Sequence, residues 1–282
     1  MNSELKQRLY NHLTQIVRER DPYLASGGHF LVREYIRDFL GQYGEVKIHE
    51  FPFEGKTHQN LILNLNSANK SKLPPILIGA HYDGVPGTPG ADDNATGVSV
   101  LLELATVFTA NPLKYPIWLV AFDMEEYDRA GSFAYAKYLK DRKQKLRLML
   151  SLEMLGYCNR TPNSQRYPDV IKPFYPNTGD FIALVGNLGA FFDLIRFSKQ
   201  IKRNGTPCEI LPDPSSGKLV PLTGFSDHFA FWQQKYRAIM VTDTAMLRNP
   251  NYHKPSDTID TLDLNFLTNV CQSLIAALKT IL

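Results

Sequence analysis

The stretch PPILIGAHYDGVPGTPGADDNATGVSVLLELA, residues 74–105, reads as strand, loop and helix in succession. PPILIGAHY is a continuous apolar run closed by polar residues, the pattern of a strand covered on both faces. The apolar positions that follow TG repeat at helical spacing and predict a helix over 97–109. Between them the loop gathers His81, Asp83, Asp92 and Asp93 among glycines, prolines and small polar residues. Turn formers of this kind let the backbone swing back over the strand end, so that the acids and the imidazole can converge.

The alternation continues outward. PIWLVAFDM (116–124), LRLMLSLEML (146–155) and YRAIMVTDT (236–244) are further buried-strand runs, and helices are predicted at 131–144, 188–203, 226–234 and 262–281. EVKIHEF (45–51) and NLILNLN (60–66) alternate as half-buried strands, while 4–18 and 29–43 read as two amphipathic helices separated by Gly27 and Gly28. Strand and helix in alternation predict an α/β sandwich with a mixed, largely parallel central sheet, whose ligands bind at the carboxyl ends of the strands. CNRTPNSQRYPDVIKPFYPNTGD, 158–180, is a long loop of the kind that carries function. No repeat, low-complexity tract or linker divides the chain, so residues 1–282 are read as a single domain.

Composition narrows the function classes. With 44% hydrophobic and 21% charged residues, the 282-residue chain can bury a sizeable core. A net charge of +3, with its lysines and arginines scattered, leaves no nucleic-acid footprint. No segment approaches the roughly 20 apolar residues of a membrane span. Cys158, Cys208 and Cys271 form no paired motif, and the first 20 residues lack the apolar core of a signal peptide. A cytoplasmic protein is expected.

The chemistry lies at the strand exits. His81 and Asp83 follow one strand, Glu125 and Glu126 a second, and Glu153 ends a third. The loop after a fourth carries Tyr252, His253 and Asp257. Singly, each has an ordinary explanation: a capped turn, a solvated first helical turn, an edge acid, a loop histidine. Delivered together to one rim, two imidazoles and several carboxylates suit zinc, manganese or cobalt and exceed what one ion requires. A pair of ions about 3.5 to 4 Å apart would use them all.

The segments GAHYD, GADDNATG, FDMEEYDRAGS, SLEMLGY, GFSDHFAF and YHKPSDTIDTLD occur in this order. As a set they resemble peptidase family M28, the co-catalytic zinc aminopeptidases and carboxypeptidases, from about residue 76 to the C-terminus. The N-terminal helices fit more loosely. The resemblance implies a three-layer α/β/α sandwich of the zinc-peptidase-like fold and two Zn2+ ions, one held less tightly. It implies that His81 binds the first ion, that Asp93 bridges both, that Glu126 and His253 hold the second, and that Glu125 is the general base. Asp93 rather than Asp92 keeps the family's interval of twelve positions after the first histidine. Asp83 would receive the other ring proton of His81, and Tyr252 would donate a hydrogen bond to the reacting carbonyl oxygen. Glu153 stands where many aminopeptidases of the group have aspartate; its longer side chain still reaches, so it is kept as a ligand of the first ion. Asp227 and His228 are read as capping and supporting a helix near the site.

The implied reaction is hydrolysis of a peptide or aminoacyl substrate, Glu125 taking the proton of the attacking water and returning it to the leaving amine. Rim acids Asp92, Glu125 and Glu153 would hold a free amine and favour an aminopeptidase. Arg129, Arg160 and Arg248 lie near candidate loops and would serve a carboxypeptidase. The rival readings are a glutaminyl-peptide cyclotransferase with a single zinc and a non-catalytic binding module that kept the fold. The acidic loop and the Glu-Glu pair weigh against both.

Overall fold

The computed structural model describes residues 2–69, 72–169, 171–218 and 220–281; positions 170 and 219, which fall in the long loop and in the segment facing it, lie outside the described residues. In chain order the elements are helices α1 (Asn2–Ile16) and α2 (Ser26–Gly41), strands β1 (Val46–Phe53), β2 (Lys56–Leu65) and β3 (Ile76–His81), helix α3 (Gly97–Ala110) and strand β4 (Ile117–Phe122). There follow α4 (Ala130–Asp141), β5 (Leu148–Glu153), β6 (Ile182–Asn187), α5 (Phe191–Arg203), β7 (Cys208–Asp213), α6 (His228–Gln233), β8 (Ala238–Thr242) and α7 (Leu264–Ile281).

The strands form one sheet in the order β1-β2-β4-β3-β5-β8-β6-β7. β4, β3, β5 and β8 run parallel at its centre. β2 is antiparallel to β4, and β6 is antiparallel to β8 but parallel to β7. Alternation along each central strand sends side chains into two separate cores. Ile76 and Ile78 of β3 join Leu9, Leu13, Ile36, Leu101 and Leu274 of the helices on one face, whereas Leu77 joins Tyr135, Leu139 and Trp232 of α4 and α6 on the other. The architecture is a three-layer α/β/α sandwich.

The chain leaves β3 for β4 on one side, through α3, and then crosses to β5 on the other side of β3, through α4. That reversal is the switch point at which α/β sheets open a crevice, and it falls where His81 ends its strand.

Three sequence expectations are corrected. Gly27 and Gly28 do not separate the N-terminal helices but lie in the first turn of α2. The reason is a close approach: a Cβ on Gly28 would sit 1.9 Å from the Glu19 carbonyl oxygen. β2 does not simply alternate, since Leu61, Ile62 and Leu63 are all buried where it enters the sheet beside β4. Strands β6 and β7 belong to the sheet although no strand is predicted at either place. No helix among the described residues is long and apolar enough to cross a membrane.

Candidate metal centre

The side chains singled out from the sequence meet at the carboxyl edge of the sheet. β3 contributes His81, the turn after β4 contributes Glu125 and Glu126, β5 ends on Glu153, and the loop beyond β8 brings Tyr252 and His253 across the top. Asp93 reaches the cluster from the loop before α3, whose backbone bends out of helical geometry at Asp93 and Asn94.

Asp93 sits between the two imidazoles. Its Oδ1 lies 3.3 Å from His81 Nε2, and its Oδ2 lies 3.1 Å from His253 Nε2. Each histidine has a second acid beside it: Glu153 Oε1 is 3.6 Å from His81 Nε2, and Glu126 Oε2 is 3.5 Å from His253 Nε2. Donor atoms of His81, Asp93 and Glu153 all lie within 4.8 Å of one another, as do those of Asp93, Glu126 and His253 and those of His81, Glu125 and Glu126. These separations suit ligands gathered around an ion better than direct hydrogen bonds. Both ring nitrogens of buried His81, and Glu126 Oε1, have no hydrogen-bond partner, and such orphaned buried atoms call for a partner.

The electrostatics point the same way. Burial pushes the Glu125 and Glu126 carboxyls well above their ordinary range; Glu153 and Asp227 add to the effect at Glu125, Asp93 at Glu126, and His81 pulls the other way at both. Burial also raises Glu153, partly offset by His81. At His81, burial favours the neutral ring, but Glu153, Asp83 and Asp93 override it and lift the imidazole well above its usual value. Asp93 is held below the carboxylate range because His253 and His81 outweigh its burial. This many acids in a sheltered site are tolerable only with protons or cations among them.

A second layer fixes these groups. The Asp83 carboxylate accepts the backbone N–H groups of Glu125 and Glu126 at 3.0 and 3.1 Å and approaches His81 Nδ1 at 3.4 Å, so it orients both strand exits at once. Asp257 accepts the backbone N–H groups of Asp92 and Asp93 at 3.0 and 3.1 Å. Ser226 donates to Glu153 Oε2 at 2.7 Å. Arg20, absent from the sequence reading, is wholly buried beneath the acidic loop. Its guanidinium donates to the carbonyls of Tyr82, Pro89, Gly90 and Asp93 at 3.0, 2.6, 2.8 and 2.9 Å. Lying in the run RERDP after an amphipathic helix, it looks like any solvated arginine, and no local signal distinguishes it. Behind β4, buried Asp123 accepts from His29 Nε2 of α2 at 2.7 Å and tethers the N-terminal helices to the Glu-Glu turn.

Residues 60–190 match the model of Peptidase family M28. Escherichia coli K12 has a relative named uncharacterized protein YfbL, 34% identical over 289 residues, which cover 98% of this chain and 87% of that protein. The chain belongs to peptidase family M28. Its fold is similar to that of BSAP, a zinc aminopeptidase from Bacillus subtilis, with a TM-score of 0.59 and 25% identity over 80% of this chain and 50% of that one. A glutaminyl cyclase from Bacteroides thetaiotaomicron shares the fold alone, with a TM-score of 0.72 at 17% identity over 99% of this chain and 98% of that one. The aminopeptidases among its curated relatives are longer, and this M28 chain spans 26% to 42% of their length.

Some expected contributions fail in this M28 chain. Asp92 is no rim acid: it is fully buried, with Oδ1 accepting from the Gly156 N–H at 2.9 Å and Oδ2 from Asn249 Nδ2 at 2.8 Å. Of the three arginines near candidate loops, only Arg129 lines the opening. Arg160 pairs with Asp263 at 2.9 Å, and Arg248 is buried over the Phe181 ring, donating to Gln165. Asp227 makes no side-chain cap at the start of α6; it is buried with both carboxylate oxygens unpartnered, and burial raises its pKa to about 7. His228 does support the element, its Nε2 donating to the Thr223 carbonyl at 2.7 Å.

Beside the cluster lies an apolar pocket. The 158–180 loop supplies Tyr167, Ile171 and Tyr175 to its wall, and the segment before α6 supplies Leu222 and Phe225. Glu153, Phe225 and Tyr252 line both this pocket and the opening over the cluster.

Proposed function

We propose that this chain is a zinc-dependent exopeptidase that removes residues from the amino end of peptides. The observation that carries the reading is Asp93, whose two oxygens face different histidines, each with an acid of its own. In this reading His81, Asp93 and Glu153 hold one ion, and Asp93, Glu126 and His253 hold the second. The donor set suits zinc, and the partnerless Nε2 of His81 and oxygen of Glu126 fit coordination. Bound zinc supplies a water of lowered pKa and polarises the scissile carbonyl.

The chain's own groups do the rest. Glu125 takes a proton from the attacking water and delivers it to the leaving amine. Tyr252, stacked on His253 with ring centroids 3.7 Å apart, would donate its hydroxyl to the carbonyl oxygen. Asp83, facing His81 Nδ1, keeps the opposite ring nitrogen free for the ion. The apolar pocket takes a large first side chain, and the negative charge of the opening's acidic wall attracts the free amine. The cyclotransferase is the second reading, favoured by the shared fold; with a single zinc it leaves one of the two ligand sets unused. The cysteines, all free, support a reducing compartment.

The test uses zinc-loaded protein and the peptide Phe-Gly-Gly in free, amino-acetylated and carboxyl-amidated forms, beside an amino-terminal glutaminyl peptide. Phenylalanine release that acetylation abolishes and amidation spares is expected. Cleavage that survives acetylation and is lost on amidation rejects the aminopeptidase. Ammonia release from the glutaminyl peptide without any cleavage establishes the cyclotransferase instead.

A further inference from the structure

The walls of the opening are acidic, with Asp93, Glu125, Glu126 and Glu153 around the candidate ion positions and Asp128 beside Arg129, the one arginine or lysine among the lining residues. Arg129 reaches this place because Asp128 and Arg129 both adopt left-handed backbone, at φ 57 and 61, and turn the chain sharply after the Glu-Glu pair. Its guanidinium is only partly committed. Nη1 donates to the Gly224 carbonyl at 2.7 Å, and the group lies 5.3 Å over the Phe229 ring. Its Nε is buried without a partner, and no carboxylate among the described residues pairs with it. A guanidinium has five N–H donors; with Nε buried and Nη1 on Gly224, the remaining donors of Arg129 are those open to a carboxylate.

Position supplies the rest. Glu153, Phe225 and Tyr252 line both cavities, whereas Arg129 lines only the opening. Arg129 thus stands on the opening and not among the residues of the apolar pocket, while Phe225, next to its Gly224 partner, lines both. A peptide whose first side chain fills the pocket and whose carbonyl faces Glu125 carries its next residue toward that cation.

We propose that Arg129 binds the free carboxylate of the residue that follows the scissile bond, so that the favoured substrates are dipeptides with a large apolar first residue. This rests on the exopeptidase reading and goes beyond it: both ends of the substrate are recognised, the amine by acids and the carboxylate by Arg129. The simpler role for Arg129, a tie to Gly224, predicts no dependence on the substrate's charge.

The experiment compares zinc-loaded wild type with the Arg129→Ala and Arg129→Lys proteins on Leu-Phe, Leu-Phe-amide and Leu-Phe-Gly. The readout is the ratio of kcat/KM for the free acid to that for the amide, in which any general loss of folding or activity cancels. The wild-type ratio is expected to be about tenfold or more, the size of a charge-assisted hydrogen bond, with Leu-Phe-Gly resembling the amide. The ratio should collapse toward one in Arg129→Ala, chiefly through KM, and recover in part in Arg129→Lys. A wild-type ratio near one, or a ratio unchanged by Arg129→Ala, overturns the inference while leaving an exopeptidase. Failure of wild type to cleave any of the three peptides overturns the exopeptidase reading and this inference with it.

Discussion

Glu125 and Glu126 are adjacent in sequence, and Asp83 holds the N–H of each, yet their side chains meet different neighbours. Glu126 faces His253 at 3.5 Å with its other oxygen unpartnered. Glu125 makes no such approach to that histidine. Glu125→Gln should therefore keep zinc content and folding while lowering kcat by about two to four orders of magnitude, the usual share of a general base. Glu126→Gln should instead lower zinc content. Elemental analysis beside steady-state kinetics decides, and the opposite pairing of effects inverts the two roles. At this scale the sequence was legible wherever a polar residue interrupts or ends an apolar strand, as at His81, Glu153 and the Glu-Glu pair. It was misleading at Asp92, because nothing local tells which of two neighbouring aspartates turns inward to a backbone N–H. Arg20 was invisible because its partners are carbonyls from 62 to 73 positions away.

At the scale of elements, the loops at the carboxyl edge carry unusual backbone. Met124, Asp128, Arg129, Met154, Thr244, Ala245 and His253 all have positive φ without being glycine, conformations that persist only where surrounding packing holds them. The helix beside them, α6, makes a pH prediction. Burial pulls His228, at its first position, down to about 3, against about 6.5 in an unfolded chain. Between those values the unfolded chain binds a proton that the native one refuses. The stability is thus fully present above about 6.5 and is lost as pH falls toward about 3. From pH 7 to pH 5 this costs about 2 kcal/mol. Urea unfolding at the two pH values should show a smaller loss for His228→Gln, which keeps a donor for the Thr223 carbonyl; equal losses would remove His228 as the cause. The elements missed from sequence were short. CEILPD contains Pro212, which argues against an interior strand, and β7 is indeed the outermost strand of its side. IALVGN of β6 is six residues wedged between the long loop and the approach to α5, too brief for periodicity to classify.

At the scale of the whole molecule, the candidate centre draws on residues from Arg20 to Asp257, so the ions would stabilise the folded state alone. Zinc at a hundred times its dissociation constant is worth about 2.7 kcal/mol per site, and about 2 to 4 °C in Tm per kcal/mol applies to a chain of this size. Zinc should therefore raise the unfolding temperature by about 5 to 10 °C per site, reversibly with chelator. A titration that saturates at one ion per chain would reject the paired centre. The strand order also has a consequence in time. A ribosome delivers His81 early and His253 some 170 residues later, while Asp93 must wait for Asp257 to anchor its loop. On the proposed roles, a chain cut short before residue 252 lacks Tyr252 and one ligand of the second ion, His253. The cell that makes this hydrolase is thereby spared an active fragment before the final helix has closed the fold.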